Sequence, residues 1–240
     1  MRFFKKLFCK KTSCCAAVIV AAGSSSRMKG TDKLLYPLGS DPVIAHSIRA
    51  FQENESIGQI IVVTKQELVS QIKELCKQLK FDKVTDITPG GASRAESVMK
   101  GLDKVEKDML YAAVHDAARP FVSQQIISDT VACAKKYHAA APAVPVKDTI
   151  KVASKRIITQ TPDRSTLFAV QTPQIFDFDL LRGALTKALK EGTPITDDCS
   201  AVEAIGMSVY LTDGSDENLK ITTPTDLLLA DALWESRVKA

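Results

Sequence analysis

The sequence predicts an α/β fold: a mostly parallel sheet with helices on both faces. Apolar, strand-like runs at 16–20, 59–64, 84–88, 110–115 and 139–146 alternate with longer amphipathic stretches, which is the rhythm of parallel strands joined by crossover helices. The first run breaks into Gly23-Ser24-Ser25-Ser26-Arg27-Met28, a small-residue turn of the kind that opens a ligand crevice at the carboxyl end of such a sheet. A length of 240 residues with 45% hydrophobic content supplies one large core.

Taken in order, residues 1–15 read as a basic N-terminal tail and 16–240 as the folded domain. Lys5, Lys6, Lys10 and Lys11 interrupt every apolar run at the start, so the segment lacks the continuous core of a signal peptide. It reads as a solvated tail, and the expected location is cytoplasmic; so short a tail gives no support to a plastid-type organelle. The net charge is +4, and Arg2, Lys5, Lys6, Lys10 and Lys11 account for more than all of it. The body therefore offers no polyanion-binding surface, and no nucleic-acid partner is expected. No run of about 18 apolar residues is present to span a membrane. Ile44, Ile48 and Phe51 recur at helical spacing and predict a core-facing stripe. Ser93 and Glu96 predict a capping box opening a helix just after Gly90-Gly91. Thr223-Pro224-Thr225-Asp226 predicts the start of a final helix that packs through Leu229, Leu233 and Trp234.

The stretch 147–166 breaks the rhythm. It alternates polar and apolar residues over a length too short for a crossover helix, and predicts a β-hairpin arm leaving the sheet. Such an arm has no core of its own, and a second copy of the chain is the economical cover for it. The six cysteines lack C-x-x-C spacing and read as free thiols, with Cys199 a candidate reactive thiol because it falls near the expected site.

Two segments carry chemistry. A small-residue loop lets backbone N–H groups approach an anion closely, and Arg27 and Lys33 add charge, so the first turn reads as a triphosphate cradle. Neither the P-loop nor the dinucleotide fingerprint is present. The run at 110–115 leads directly into Asp116-Ala117-Ala118-Arg119, which the topology brings to the same crevice. A carboxylate beside a triphosphate is best explained as a ligand for Mg²⁺ or another hard divalent cation; the alternative for Asp116 is a strand-end turn cap.

Seven segments in order then resemble the 2-C-methyl-D-erythritol 4-phosphate cytidylyltransferases: Ala21-Ala22-Gly23 with Arg27-Met28 and Lys33; Gly90-Gly91 with Arg94 and Ser97-Val98; His115 to Pro120; Val144 to Thr149; Asp163-Arg164 with Gln171 to Gln174; Ile195 to Asp198; and Asn218-Leu219-Lys220. The resemblance implies a Rossmann-like nucleotidyltransferase fold and CTP and methylerythritol phosphate as substrates. It also implies a homodimer made through the arm. By the same likeness Arg27 and Lys33 are the catalytic cations. CTP would be bound by Ala21, Ala22, Gly23, Gly91, Ala92, Ser97, Asp116 and Ala117, with Gly91, Ala92 and Ser97 reading the base. Arg119, Thr149, Arg164, Thr172, Thr196 and Lys220 would hold the acceptor, Thr149 and Arg164 reaching the neighbour's site. The chain departs from the family in Ser24-Ser25-Ser26, where a further Gly is usual, and in Ala92, where many members carry Asp. The runner-up function is a cytidylyltransferase for another polyol phosphate, such as ribitol 5-phosphate. A binding protein without turnover is disfavoured, because the cations and Asp116 remain.

Overall fold

The computed structural model describes residues 13–23 and 32–239. In its first half the elements are β1 (Cys15–Ala21), β2 (Pro37–Leu38), β3 (Asp41–Pro42), α1 (Val43–Glu53), β4 (Ile57–Thr64), α2 (Val69–Gln78), β5 (Val84–Pro89), α3 (Arg94–Leu102) and β6 (Tyr111–Asp116). There follow α4 (Gln124–Tyr137), β7 (Ala139–Pro145), β8 (Val152–Ser154), β9 (Ile157–Gln160), β10 (Phe168–Val170), β11 (Gln174–Asp177), α5 (Phe178–Glu191), α6 (Asp198–Glu203), β12 (Tyr210–Asp213) and α7 (Pro224–Lys239).

The main sheet has eight strands, in the order β10-β7-β11-β6-β1-β4-β5, with β12 paired to β7. Strands β5, β4, β1 and β6 are parallel, as the alternating sequence predicts. Side chains alternate across β1: Ala17, Ile19 and Ala21 join α1, α2 and α4 on one face, while Ala16 and Val18 join α3, α5 and α6 on the other. This two-sided burial explains why the strand reads as a continuous apolar run. Ile44, Ile48 and Phe51 are all fully buried, as their spacing predicts.

Several details differ from the sequence reading. Strand β1 begins one residue ahead of the predicted run, at Cys15, and both Cys14 and Cys15 are buried. Strand β11 inserts antiparallel between β6 and β7. With β10 it makes one antiparallel run along β7, broken at Gln171–Pro173. Strands of three or four residues leave little periodic signal, which is why β10, β11 and β12 escaped the reading. Ser93 caps α3 by accepting from Glu96 N, but the Glu96 carboxylate accepts from Ala92 N, one residue outside the predicted box. The last helix turns Leu227 and Ala230 inward, packs Leu233 and Trp234 against the core with Trp234 beside His46, and leaves Leu229 51% exposed. No helix among the described residues is long and apolar enough to cross a membrane.

The arm is a hairpin of β8 and β9, which pair only with each other. Every residue of both strands is exposed.

Candidate active site

The pairing register brings three strand ends level, with Val20 opposite Asp116 and Ala21 opposite Thr64. Beyond them opens a cleft of about 440 Å³, lined among others by Ala22, Lys33, Gly91, Arg94, Asp116 and Lys220. Its floor is tight. A Cβ on Gly90 would lie 2.4 Å from Ala22 Cβ and 2.8 Å from Ser97 Oγ, so only glycine lets this loop pack against the end of β1. Ser97 Oγ accepts from Gly91 N at 3.0 Å and donates to Ser93 O at 2.9 Å, fixing the loop from beneath.

Asp116 stands at the centre. Lys220 Nζ lies 2.7 Å from its Oδ2, Arg119 Nε 3.8 Å from the same oxygen, and Arg94 Nη2 3.6 Å from Oδ1. Burial by itself would raise the Asp116 carboxyl, but Lys220, Arg94 and Arg119 outweigh it and hold the group at about 2. Behind the wall, fully buried Asp198 accepts from Arg94 Nη1 at 2.7 Å.

Hydrogen bonds orient Asp116, the last residue of β6, and Arg119 just beyond it. Asp116 N–H donates to Thr172 Oγ1 at 3.1 Å, Thr172 Oγ1 meets His115 Nδ1 at 3.0 Å, and His115 Nε2 meets Arg119 O at 3.3 Å. One tautomer satisfies all three: Nε2–H donates to Arg119, and Nδ1 accepts from the threonine hydroxyl. Burial pushes His115 down to about 4, so it stays neutral through the physiological range. On the opposite rim, Asn218 Nδ2 donates to Gln171 Oε1 and Thr172 O, Arg119 Nη1 donates to Asn218 O, and Lys33 Nζ donates to Ile221 O at 2.8 Å. The last of these bonds tethers the Lys33 amine to the segment that carries Lys220, so both lysines line the same cleft. A converging set of cations around a strand-end carboxylate can bind a polyphosphate and offset charge that develops on it.

The family model for 2-C-methyl-D-erythritol 4-phosphate cytidylyltransferase matches residues 15–236. The chain belongs to this family. It is 46% identical to the enzyme of that name from Caldanaerobacter subterraneus subsp. tengcongensis over 210 residues, covering 86% of this chain and 92% of the relative. With that of Clostridium acetobutylicum the identity is 44%, covering 87% and 92%. Among solved structures it resembles the 4-diphosphocytidyl-2C-methyl-D-erythritol synthase of Anaerococcus prevotii, with a TM-score of 0.84 at 27% identity, covering 93% of this chain and 97% of that one.

Of the residues assigned from the cytidylyltransferase resemblance, Ala21, Ala22, Gly23, Lys33, Gly91, Ala92, Ser97, Asp116 and Lys220 line the cleft together. Arg27 and the Ser24–Ser26 departure lie outside the described residues. Ala117 lies behind the wall: it is fully buried, its N–H donates to Val20 O, and its C=O accepts from Ser47 Oγ. Thr172 and Arg119 stand just beneath, touching Asp116. Thr149, Arg164 and Thr196 are exposed and do not line the cleft. Arg164 Nη1 donates to Lys147 O at 2.9 Å at the base of the arm. The N–H groups of Gly91 and Ala92 are taken up by Ser97 and Glu96. Cys199 is 5% exposed and burial pushes its thiol up, the opposite of a reactive cysteine.

Sequence reasoning did not assign Arg94, Asp198, His115 or Asn218 to the site, although all four stand in the family-like segments. The available signal was a cation and an anion in two such segments, Arg94 and Asp198, 104 positions apart.

Proposed function

We propose that the chain transfers CMP from CTP to 2-C-methyl-D-erythritol 4-phosphate, giving 4-diphosphocytidyl-2-C-methyl-D-erythritol and pyrophosphate for isoprenoid precursor synthesis. The observation that carries this reading is Asp116 and its cations at the carboxyl ends of β1 and β6, in a chain of this family. A phosphate oxygen of the acceptor attacks the α-phosphorus in line. The bond from that phosphorus to the bridging oxygen breaks, and its electrons leave with pyrophosphate. No general base is required, because the attacking phosphate is ionised at neutral pH. Lys33 and, by the family resemblance, Arg27 offset the charge that builds up on the α-phosphoryl and leaving groups. Gly91, Ala92 and Ser97 border the base, and Lys220 and Arg119 hold the acceptor.

Asp116 also fits a hard divalent cation. Among the described residues it is the one carboxylate lining the cleft, with Oδ2 held by Lys220 and with Oδ1 beyond hydrogen-bonding distance of Arg94, and Mg²⁺ typically takes one or two carboxylates with phosphate oxygens and water. Such an ion would neutralise phosphate charge. Asp116 would hold it, its backbone N–H fixed by Thr172, which His115 steadies in turn.

The arm supports a homodimer. Ile157 and Ile158 are 69% and 60% exposed, and a second copy covering them would carry Thr149 and Arg164 to a neighbour's acceptor site. The test is a panel of acceptors assayed with CTP for pyrophosphate release. Methylerythritol phosphate alone should support turnover; ribitol 5-phosphate alone would select the other polyol reading, and silence with every acceptor would leave only nucleotide binding.

A further inference from the structure

Two carboxylates flank Arg94, and its hold on them is unequal. Nη1 donates to Asp198 Oδ2 at 2.7 Å, while Nη2 stays 3.6 Å from Asp116 Oδ1. The second separation is too long for a hydrogen bond. A guanidinium between two anions settles on the one that gains most from its charge. Asp198 is fully buried, with a side-chain exposure of 1% against 11% for Asp116, and an unpaired charge there would cost far more than one at the cleft wall.

Asp198 is also unable to follow the arginine outward. Its backbone N–H and that of Cys199 both donate to Gln174 Oε1, at 3.0 and 3.1 Å, and Gln174 Nε2 donates to Asp197 Oδ2 at 2.7 Å. Strand β11 thus pins the backbone that carries the buried carboxylate, and the carboxylate holds Arg94. Since Lys220 occupies Asp116 Oδ2 at 2.7 Å, Oδ1 is the oxygen at stake. An arginine released from Asp198 would close on it and compete with any cation arriving from the cleft.

We infer that Asp198 is a positioning residue that holds Arg94 off Asp116 and so keeps Asp116 Oδ1 available to a divalent cation. This rests on the proposed metal-binding role of Asp116. The test is CTP binding by calorimetry without acceptor, so that nothing turns over, once with Mn²⁺ and once in excess EDTA. The ratio of the two affinities is the metal's contribution. Asp198→Asn should lower that ratio about tenfold, a coupling within the usual range for contacting charges, with the EDTA affinity as internal reference. Arg94→Gln/Asp198→Asn, which removes both charges, should bring the ratio back at least to that of the unaltered protein.

A purely structural role for Asp198 would leave the double variant as impaired as the single one, and that result overturns the inference. So does a folded Asp198→Asn protein with an unchanged ratio. Should Asp198→Asn fail to fold, the double variant decides: a ratio at or above that of the unaltered protein upholds the inference, and a lower one overturns it. An unaltered protein whose CTP affinity is indifferent to Mn²⁺ overturns the metal role of Asp116 and this inference with it. One that binds no CTP overturns the nucleotide reading itself.

Discussion

The cleft and the arm are opposites in how their groups are satisfied. Around Asp116, buried and half-buried charges find partners within one protomer: Lys220, Arg94 and Arg119 on Asp116, and Arg94 again on Asp198. In the arm, β8 and β9 pair only with each other, and Ile150, Val152, Ile157 and Ile158 stay 40–69% exposed. An isolated two-stranded hairpin is marginal in water. The cleft is organised before any ligand arrives, whereas the arm presents apolar surface that a single chain leaves uncovered. Damage to the cleft should therefore act on a protomer's own site, and damage to the arm on a neighbour's.

The sharpest way to break that contrast is Asp116→Asn. Loss of the charge that three cations share, and of the proposed cation ligand, should cut turnover on the order of 10³-fold with the fold intact by circular dichroism. A smaller loss than any arm variant produces would invert the ranking of the two regions. Next come Arg27→Ala and Lys33→Ala, expected to lower kcat by about 10²-fold with little change in acceptor KM, since the catalytic role proposed for them acts where charge develops. Steady-state kinetics in both substrates checks this, and a change confined to acceptor KM would reassign them.

The arm is tested by mixing inactive Arg164→Ala protein with inactive Lys220→Ala protein. If Arg164 serves the neighbour, random exchange makes half the dimers mixed, each with one sound site, so about one quarter of full activity should return. Exchange without recovery, or an active monomer by light scattering, removes the arm from the site. The smallest effect at neutral pH belongs to His115, whose folded pKa is lowered from 6.5 to about 4, chiefly by burial. As pH falls below 6.5 the unfolded chain takes up a proton that the folded one refuses until about 4, so stability drops across that window by up to about 3 kcal/mol. His115→Asn should flatten the dependence of the urea midpoint between pH 7 and 4.5; an unchanged slope would place the acid sensitivity elsewhere.

The parallel strands and the arm were legible because each carries a period: continuous apolar runs where both faces are buried, alternation where the hairpin leaves the sheet. The cleft was legible where function demands unusual residue types, as at Gly23, Gly90-Gly91 and Asp116. Strands β10 to β12 were not, because three or four residues hold too few repeats to declare a period, and the antiparallel insertion of β11 depends on which neighbour it meets. The Arg94–Asp198 pair was hidden for a related reason. Its partners stand on α3 and at the start of α6 and meet only in the folded molecule, so the charges were visible in the sequence and their meeting was not.

Gly101 sits near the far end of α3, where an added Cβ would lie 2.5 Å from Val18 Cγ1 and 2.9 Å from Val63 Cγ2. The helix thus seats flush on β1 and β4, and the depth of that seat is measured by the absence of a methyl group. Arg94 lies seven positions earlier on the same rigid rod, about 10 Å along its axis at the usual helical rise. A wedge as small as alanine at 101 would lift one end of the rod and tilt the other, moving the guanidinium relative to Asp116 without touching either residue. The cleft is thus calibrated from the back of the sheet, as a lever is set at its fulcrum.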